Sequence, residues 1–349
     1  MSPAALHSFC HAIPKAELHC HLLGTVRHAT FAELASAANA PLSADEITAF
    51  YTRGEKPVGV LRVLRALDEF LLRTPPDLER ITFEYLQDAA AHNVRYAEFF
   101  WNPTGTVHTS KISYAQAQAG IIRAIHQAQI QFGIIGRLIP SIDREASPQA
   151  ALEMVQWVVQ NRAPEVLGIG MDYREVDRPP ELFTEAYRAA KQAGLKLTAH
   201  AGEFGMPWTN VQTAVEQLQL DRVDHGYTII DNPALAQSYA ARGLVFTVAP
   251  TNSYYLRTLA PERWALDHPI RAMAKLGLRL HPSTDDPTLH HVTPTGAWEM
   301  MVRDFGFTAQ DLRGFMHNGL DAAWISPEQR ANWRTQWTAE FDALLEQWT

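Results

Sequence analysis

The chain has 349 residues, of which 46% are hydrophobic and 19% are charged, an ordinary composition for a globular protein. A formal net charge of -8 argues against a protein that binds nucleic-acid phosphates, since such proteins carry basic patches. Cys10 and Cys20 are too few for a disulfide framework. We find no secretory leader pattern and no apolar stretch long enough to span a bilayer, so we expect a cytoplasmic protein.

Strands and helices alternate along the chain. A first strand over Ala16–His21 precedes a long helical insertion, about residues 27–93, in which Ser43 and Glu46 form a capping-box pattern. Seven further strands, each followed by a helical segment, are predicted at residues 94–100, 133–142, 166–172, 195–200, 222–225, 244–248 and 278–282.

Eight such repeats predict an α/β fold, a (β/α)8 TIM barrel, with a helical tail from residue 308. A doubly wound open sheet is the alternative, but it usually has a glycine-rich turn after the first strand, and Gly24 alone does not supply one. We find no linker rich in proline, glycine or serine. We therefore expect one barrel domain over residues 1–349.

Two histidines are spaced two apart on the first predicted strand. Alternate residues of a strand face the same side, so His19 and His21 point to one spot and Cys20 points away. Paired imidazoles form half of a metal site, and zinc is the usual metal for such nitrogen ligands. A complete site would need further ligands from other strands.

Side chains with metal-binding and acid–base chemistry follow three of the later strands. The fifth strand runs into His200 and Glu203, the sixth ends at His225, and the eighth leads to Asp285 and Asp286. Active sites of (β/α)8 barrels form at the carboxyl ends of the strands, so we expect all these side chains at one mouth. Since buried charged groups are costly unless paired or metal-bound, the set indicates an active site.

The residue types predict a hydrolytic reaction. Imidazole with one carboxylate suits a divalent metal, above all Zn2+, and the candidate ligands are His19, His21, His200 and Asp285. Such a metal lowers the pKa of a bound water to about 7. Glu203 can act as general acid or base, His225 can orient or deprotonate the water, and Asp286 can accept a hydrogen bond from a ring nitrogen. This set suits displacement of an amine from an electron-poor heteroaromatic carbon.

Four motifs resemble the adenosine/adenine deaminase branch of the amidohydrolase superfamily. They are Pro14–His21, His200–Glu203, Asp224–Gly226 and Thr284–Pro287, and the resemblance covers roughly residues 13–305. The resemblance implies the same four zinc ligands in a metal-dependent hydrolase barrel, with Asp285 also counted as catalytic. It further implies that Glu203 donates a proton to the purine ring, that His225 lies at the metal-bound water and that Asp286 meets purine N7.

Within the family, the fourth predicted strand resembles the adenine deaminases. Gly168–Glu175 reads Gly-Ile-Gly-Met-Asp-Tyr-Arg-Glu, and a Pro-Pro pair follows at 179–180. Adenine deaminases carry Gly-Ile-Gly-Leu-Asp-x-x-Glu and a Pro-Pro pair there. The resemblance implies that Glu175 contacts the base edge, and an exposed carboxylate at a helix start is the alternative. Asp172 either lines the pocket or braces a loop.

Two positions depart from the family pattern. Leu23 stands where nucleoside deaminases have an acidic residue that contacts the ribose. A buried sugar hydroxyl facing Leu23 would lose a partner at a cost of about 1–3 kcal/mol, which disfavours adenosine and favours an apolar substituent. In Ala249–Ser253 the family's Ser-Asn order is swapped, so the roles of Asn252 and Ser253 stay open.

We therefore expect an aminohydrolase acting on a purine base such as adenine or an N6-alkyladenine, giving hypoxanthine plus ammonia or an amine. Asp286, Glu175 and Leu23 are the expected substrate contacts. The alternatives are adenosine, another amino-heterocycle such as a pterin or triazine, and a non-enzymatic ligand-binding barrel. The expected partner is this small molecule, with no nucleic acid and no membrane, and homo-oligomer formation is left open.

Overall fold

A computed structural model describes residues 2–53, 58–203, 205–255 and 259–348, without the side chains of residues 253–255. Nine strands lie within these ranges and all their pairings are parallel. They are β1 (Lys15–Glu17), β2 (Val94–Trp101), β3 (Ile135–Asp143), β4 (Gly168–Asp172), β5 (Lys196–Leu197), β6 (His200–Ala201), β7 (Val223–His225), β8 (Val245–Val248) and β9 (Arg279–Pro282).

Helices follow most of the strands. They are α1 (Pro3–Ala12), α2 (His28–Ala37), α3 (Ala44–Tyr51), α4 (Val60–Ala66), α5 (Pro75–Ala91), α6 (Pro103–Ser110), α7 (Tyr114–Phe132), α8 (Pro148–Gln160), α9 (Thr184–Gln192), α10 (Trp208–Glu216), α11 (Pro233–Ala241), α12 (Pro250–Tyr255), α13 (Trp264–Asp267), α14 (Ile270–Lys275), α15 (Pro287–His290), α16 (Pro294–Arg303), α17 (Ala309–Ala322) and α18 (Pro327–Trp348). Among the described residues, no helix has the length and apolarity to cross a membrane.

The nine strands correspond to the eight predicted ones, because the predicted fifth strand is interrupted. β5 pairs with β4, whereas β6 pairs with β7. The backbone between them continues both ladders, since the Thr198 amide donates to Ile169 (3.1 Å) and the Asp224 amide donates to Ala199 (3.0 Å). The strands thus form two parallel sheets, β1 to β5 and β6 to β9, and the segment between β5 and β6 joins them through these backbone bonds.

The first and last strands meet through the residues that follow them. The ladder of β1 ends at Glu17, earlier than predicted, and Cys20 forms an isolated parallel bridge with Asp285. The Asp285 amide donates to the carbonyl of His19 (2.9 Å), and its own carbonyl accepts from the amide of His21 (2.8 Å). These bonds join the two ends of the strand order, and the predicted (β/α)8 barrel is confirmed.

The helical insertion lies between β1 and β2, as predicted. It contains α2 to α5 and a π-helical turn, Leu67–Leu71. The predicted capping box is present, since the Glu46 amide donates to Ser43 Oγ (3.2 Å) and the Ser43 amide donates to Glu46 Oε2 (2.9 Å). Helices α1 and α6 are not among the predicted elements.

Lys15 opens β1 as a fully buried amine. Its Nζ donates to the backbone carbonyls of His11 (3.2 Å), Ile13 (2.8 Å) and His92 (2.8 Å). Burial lowers the pKa of Lys15 to about 7. The Lys15 side chain thus joins the end of α1 to the end of α5. It does so at the start of β1, which leads into the segment that carries His19 and His21.

Lys15→Met would remove this donor and leave three buried carbonyls without it. We expect the free energy of unfolding to fall by about 3 kcal/mol, because an unpaired buried polar group costs about 1–3 kcal/mol. Urea denaturation measures the change. Lys275→Met, at an exposed lysine of α14, is the matched control and should stay within about 0.5 kcal/mol of the parent. Equal stability of the two variants would contradict this account.

Candidate metal centre and active site

The structure brings the four predicted metal ligands together at the carboxyl ends of the strands. One ligand atom from each lies within 4.8 Å of the others, and all four side chains are buried: His19, His21, His200 and Asp285. Nε2 of His19 and Nε2 of His21 are each 3.1 Å from Nε2 of His200. Oδ1 of Asp285 is 3.0 Å from Nε2 of His21. Three imidazoles and one carboxylate fit a divalent metal.

Two further carboxylates face the opposite nitrogens of these rings. Oδ2 of Asp172 is 3.2 Å from Nδ1 of His21, and Oδ2 of Asp224 is 3.5 Å from Nδ1 of His200. A carboxylate at Nδ1 holds a proton there and leaves the lone pair of Nε2 for a metal. Asp172 therefore braces a ligand and also lines the cavity described below. The sequence analysis left Asp172 open and gave Asp224 no role.

The charges of this cluster favour ionised carboxylates beside the imidazoles. Burial opposes ionisation of Asp285, but His19 and His21 hold the pKa of this carboxyl well below its usual range. Burial likewise opposes ionisation of Asp224, yet the hydrogen bond with His200 lowers its pKa. Burial and the neighbouring His19 lower the pKa of His200. A neutral imidazole and an ionised carboxylate are the protonation states that bind metal.

Asp224→Asn tests the brace directly. Asp224 also accepts from Thr247 Oγ1 (2.8 Å) and Thr198 Oγ1 (2.9 Å), so its position is fixed. We expect metal affinity to fall about 10- to 100-fold, because the charge that orients the imidazole is lost. Competition with a chromophoric chelator measures the affinity. Asp267→Asn, on the surface helix α13, should leave it unchanged, and equal affinities in both variants would exclude the brace.

Glu203 and His225 lie side by side next to the ligand cluster. Oε1 of Glu203 is 3.6 Å from Nε2 of His225, and one atom of each lies within 4.8 Å of an Asp285 oxygen. Burial, with the carboxylates of Asp285 and Glu175 adding to it, raises the pKa of Glu203 well above its usual range, which favours the protonated form. Burial and the nearby His19 lower the pKa of His225, which leaves it neutral. The pair offers one proton donor and one acceptor.

Asp286 follows the candidate ligand Asp285 in the chain and is buried beside it. Burial and the adjacent Asp285 raise the pKa of Asp286, and its Oδ1 has no hydrogen-bond partner among the described residues. Gly24 packs directly beneath it, since a Cβ at Gly24 would lie 1.9 Å from Asp286 Oδ1. Asn252 donates from Nδ2 to Oδ2 of Asp285, which gives it a role the sequence left open. The side chain of Ser253 lies outside the described residues.

Three residues of the site have left-handed backbone conformations. The φ angles are +65° at Tyr173, +66° at His225 and +65° at Asp285, which follow or end β4, β7 and β9. Side chains other than glycine avoid this region, and the surrounding structure has to hold them there. Backbone strain of this kind concentrates at functional sites, and no residue pattern in the sequence predicts it.

A small cavity of about 40 Å³ adjoins the cluster. Its polar walls come from the site, and its apolar wall comes from Tyr173 and from α4, with Val60, Leu61 and Leu64. Leu23 and Glu175 are buried but do not line this cavity, so the structure gives no support to their predicted substrate contacts. The α4 side chains could not be assigned to the site from the sequence, because their leucine spacing equally fits an ordinary core helix.

Known proteins match nearly the whole chain. An adenine deaminase from Rhodospirillum rubrum is 31% identical over 337 residues, which cover 93% of this chain and 96% of that protein. A solved amidohydrolase from Burkholderia ambifaria with bound zinc is 62% identical, with a TM-score of 0.98, and the match covers 100% of this chain and 96% of that one. A solved adenine deaminase from Arthrobacter aurescens is 28% identical, with a TM-score of 0.85 and coverages of 94% and 99%.

The family model described as adenosine deaminase matches residues 14–337. This span contains the four motifs on which the resemblance was based, and the curated relatives include several adenine deaminases, as the segment at the fourth strand predicts. The prediction of a hydrolytic deaminase of the amidohydrolase type is confirmed. By the extent of these matches, the chain belongs to the adenosine deaminase family.

Proposed function

We propose that this protein is a zinc-dependent aminohydrolase that removes the 6-amino or N6-substituted amino group of a purine base, such as adenine or an N6-alkyladenine. The observation that carries the proposal is the placement of Glu203, a carboxyl with a raised pKa, 3.6 Å from His225, an imidazole with a lowered pKa, at the edge of four candidate metal ligands. A binding protein has no need of a proton donor and a proton acceptor at that point.

The reaction replaces the C6–N bond of the base by a C6–O bond. Water supplies the oxygen, and the amine leaves with a proton. Glu203 holds the proton that the ring nitrogen next to C6 receives as the water adds, and neutral His225 accepts the proton that the water loses. Asp286, whose pKa is raised by burial and by the adjacent Asp285, would in its protonated form donate to an acceptor nitrogen of the base. The products are hypoxanthine and ammonia, or an amine from an N6-alkyl substrate.

Zinc is the metal that the donor set favours. The cluster offers three imidazole nitrogens from His19, His21 and His200 and one carboxylate from Asp285. The chemistry that a bound metal supplies is the activation of a water molecule at neutral pH. The solved relative from Burkholderia ambifaria contains zinc, which supports the same metal here.

The apolar wall of the cavity supports a base as substrate. Val60, Leu61 and Leu64 of α4 present alkyl groups and no hydrogen-bonding side chain toward the space beside the cluster. The cavity of about 40 Å³ is smaller than the roughly 150 Å³ that holds benzene in an engineered protein, and a purine is larger than benzene. Binding of a purine therefore requires this cavity to enlarge.

A side-by-side ultraviolet assay tests the proposal. Zinc-loaded protein receives adenine, N6-methyladenine, N6-benzyladenine and adenosine under identical conditions. Turnover of adenine or its N6-alkyl derivatives to hypoxanthine, with adenosine untouched, is the expected result. Preference for adenosine would favour a nucleoside deaminase, and silence on all four would direct the search to pterins and triazines. A cytoplasmic location and the oligomeric state stay predictions.

A further inference from the structure

The carboxylate of Glu175 is held by the segment that carries Glu203. Its Oε1 accepts from the backbone amide of Gly202 (3.0 Å) and from Nδ2 of Asn210 (2.9 Å), and its Oε2 accepts from the backbone amide of Glu203 (3.2 Å). The residue is 1% exposed. A buried carboxylate is stabilised by such donors, and here two come from the turn after β6 and the third comes from Asn210 in α10.

The local backbone makes this arrangement specific. Gly202 has a φ of +69°, and a Cβ there would lie 2.5 Å from Thr228 Oγ1, so the position requires glycine. The left-handed turn directs two successive amides at the same carboxylate. The side chain of Glu203 leaves this turn toward His225, with 3.6 Å between their facing atoms. Glu175 thus fixes the backbone from which the proton donor projects.

We infer that Glu175 is a positioning residue that acts through Glu203 and does not recognise the substrate. The catalytic consequence of this inference rests on the proposed function. The hydrogen bonds that support the inference do not depend on that function. Both oxygens of Glu175 are already engaged by protein donors, and the residue is not part of the cavity wall. A displacement of about 1 Å at a catalytic group can cost on the order of 100-fold in rate.

A double-mutant cycle separates the two roles. Glu175→Ala should lower kcat on the order of 100-fold with little change in KM, while Glu175→Gln, which keeps an acceptor oxygen, should recover part of the loss. In the Glu203→Gln background, Glu175→Ala should cost almost nothing more, because the group through which it acts is already gone. Glu181→Gln is the matched control, because Glu181 is an exposed carboxylate a few residues after Glu175.

Hydrogen exchange tests the positioning without any turnover. Glu175→Ala should raise the exchange rates of the Gly202 and Glu203 amides at least tenfold, with the exchange of β2 and β3 unchanged as a check on folding. Asn210→Ala, which keeps the carboxylate, should give a smaller increase. Unchanged protection of the two amides would overturn the inference whatever the activity. A rise in KM at constant kcat, or full additivity with Glu203→Gln, would assign Glu175 to the substrate instead. Silence of the parent protein on purines would count against the proposed function alone.

Discussion

Glu203→Gln should lower kcat for a 6-aminopurine about 10³-fold while leaving the metal content at the level of the parent protein. The change keeps the size of the side chain but removes the acidic proton, and positioned acid catalysis contributes about 10²–10⁴-fold. Glu203 lies beside the ligand cluster without belonging to the four-ligand set. Steady-state kinetics and metal analysis of the same preparation measure both effects.

The pH profile gives a second readout for the same group. A general acid has to be protonated, and the raised pKa of Glu203 extends its protonated form to higher pH. Activity of the parent should therefore fall as pH rises through that pKa, and Glu203→Gln should lose this alkaline limb. Glu185→Gln, at an exposed position of α9, should behave as the parent. Parental kcat in Glu203→Gln would remove Glu203 from the mechanism.

The barrel could be predicted because its signals are local. Short apolar runs such as Val94–Phe100 and Val245–Val248 alternate with helical spacing, and each lies where the structure has a strand. The interruption between β5 and β6 and the early end of β1 could not be predicted. Both features occur where one backbone segment pairs with two neighbouring strands at different positions along the barrel axis. This arrangement depends on the closure of the whole barrel.

Some features of the candidate site could likewise be predicted from the sequence, and others could not. Its four candidate ligands could be predicted because histidines and carboxylates follow several strands of one barrel, and buried charged groups are costly unless paired or metal-bound. The contacts of Asp172 with His21 and of Asp224 with His200 could not be predicted from one sequence. An aspartate near a candidate ligand in the sequence can equally cap a helix. Glu175 shows the reverse case. Its motif was informative, but three hydrogen bonds that join segments 27 to 35 positions apart decide what it contacts.

Asp285→Asn should lower metal affinity and reduce kcat/KM by at least about 10³-fold. The change removes the one negative charge of the ligand set and leaves three imidazoles around a dication. Metal activation of water supplies several kcal/mol, and each 1.36 kcal/mol is tenfold in rate. Removal of the metal from the parent by a chelator should abolish activity, and added Zn2+ should restore it. The asparagine variant should recover only in part at the same zinc concentration.

Thermal unfolding distinguishes a lost ligand from a damaged fold. A metal that binds only the folded protein raises Tm with its concentration, so Zn2+ should raise the Tm of the metal-free parent much more than that of Asp285→Asn. Asp172 and Asp285 raise the pKa of His21 against the effect of its burial, so this imidazole has to release its proton before it can bind metal. The zinc-induced rise in Tm should therefore shrink as the pH falls. An equal rise in both proteins, with Asp45→Asn as the surface control, would exclude Asp285 as a ligand.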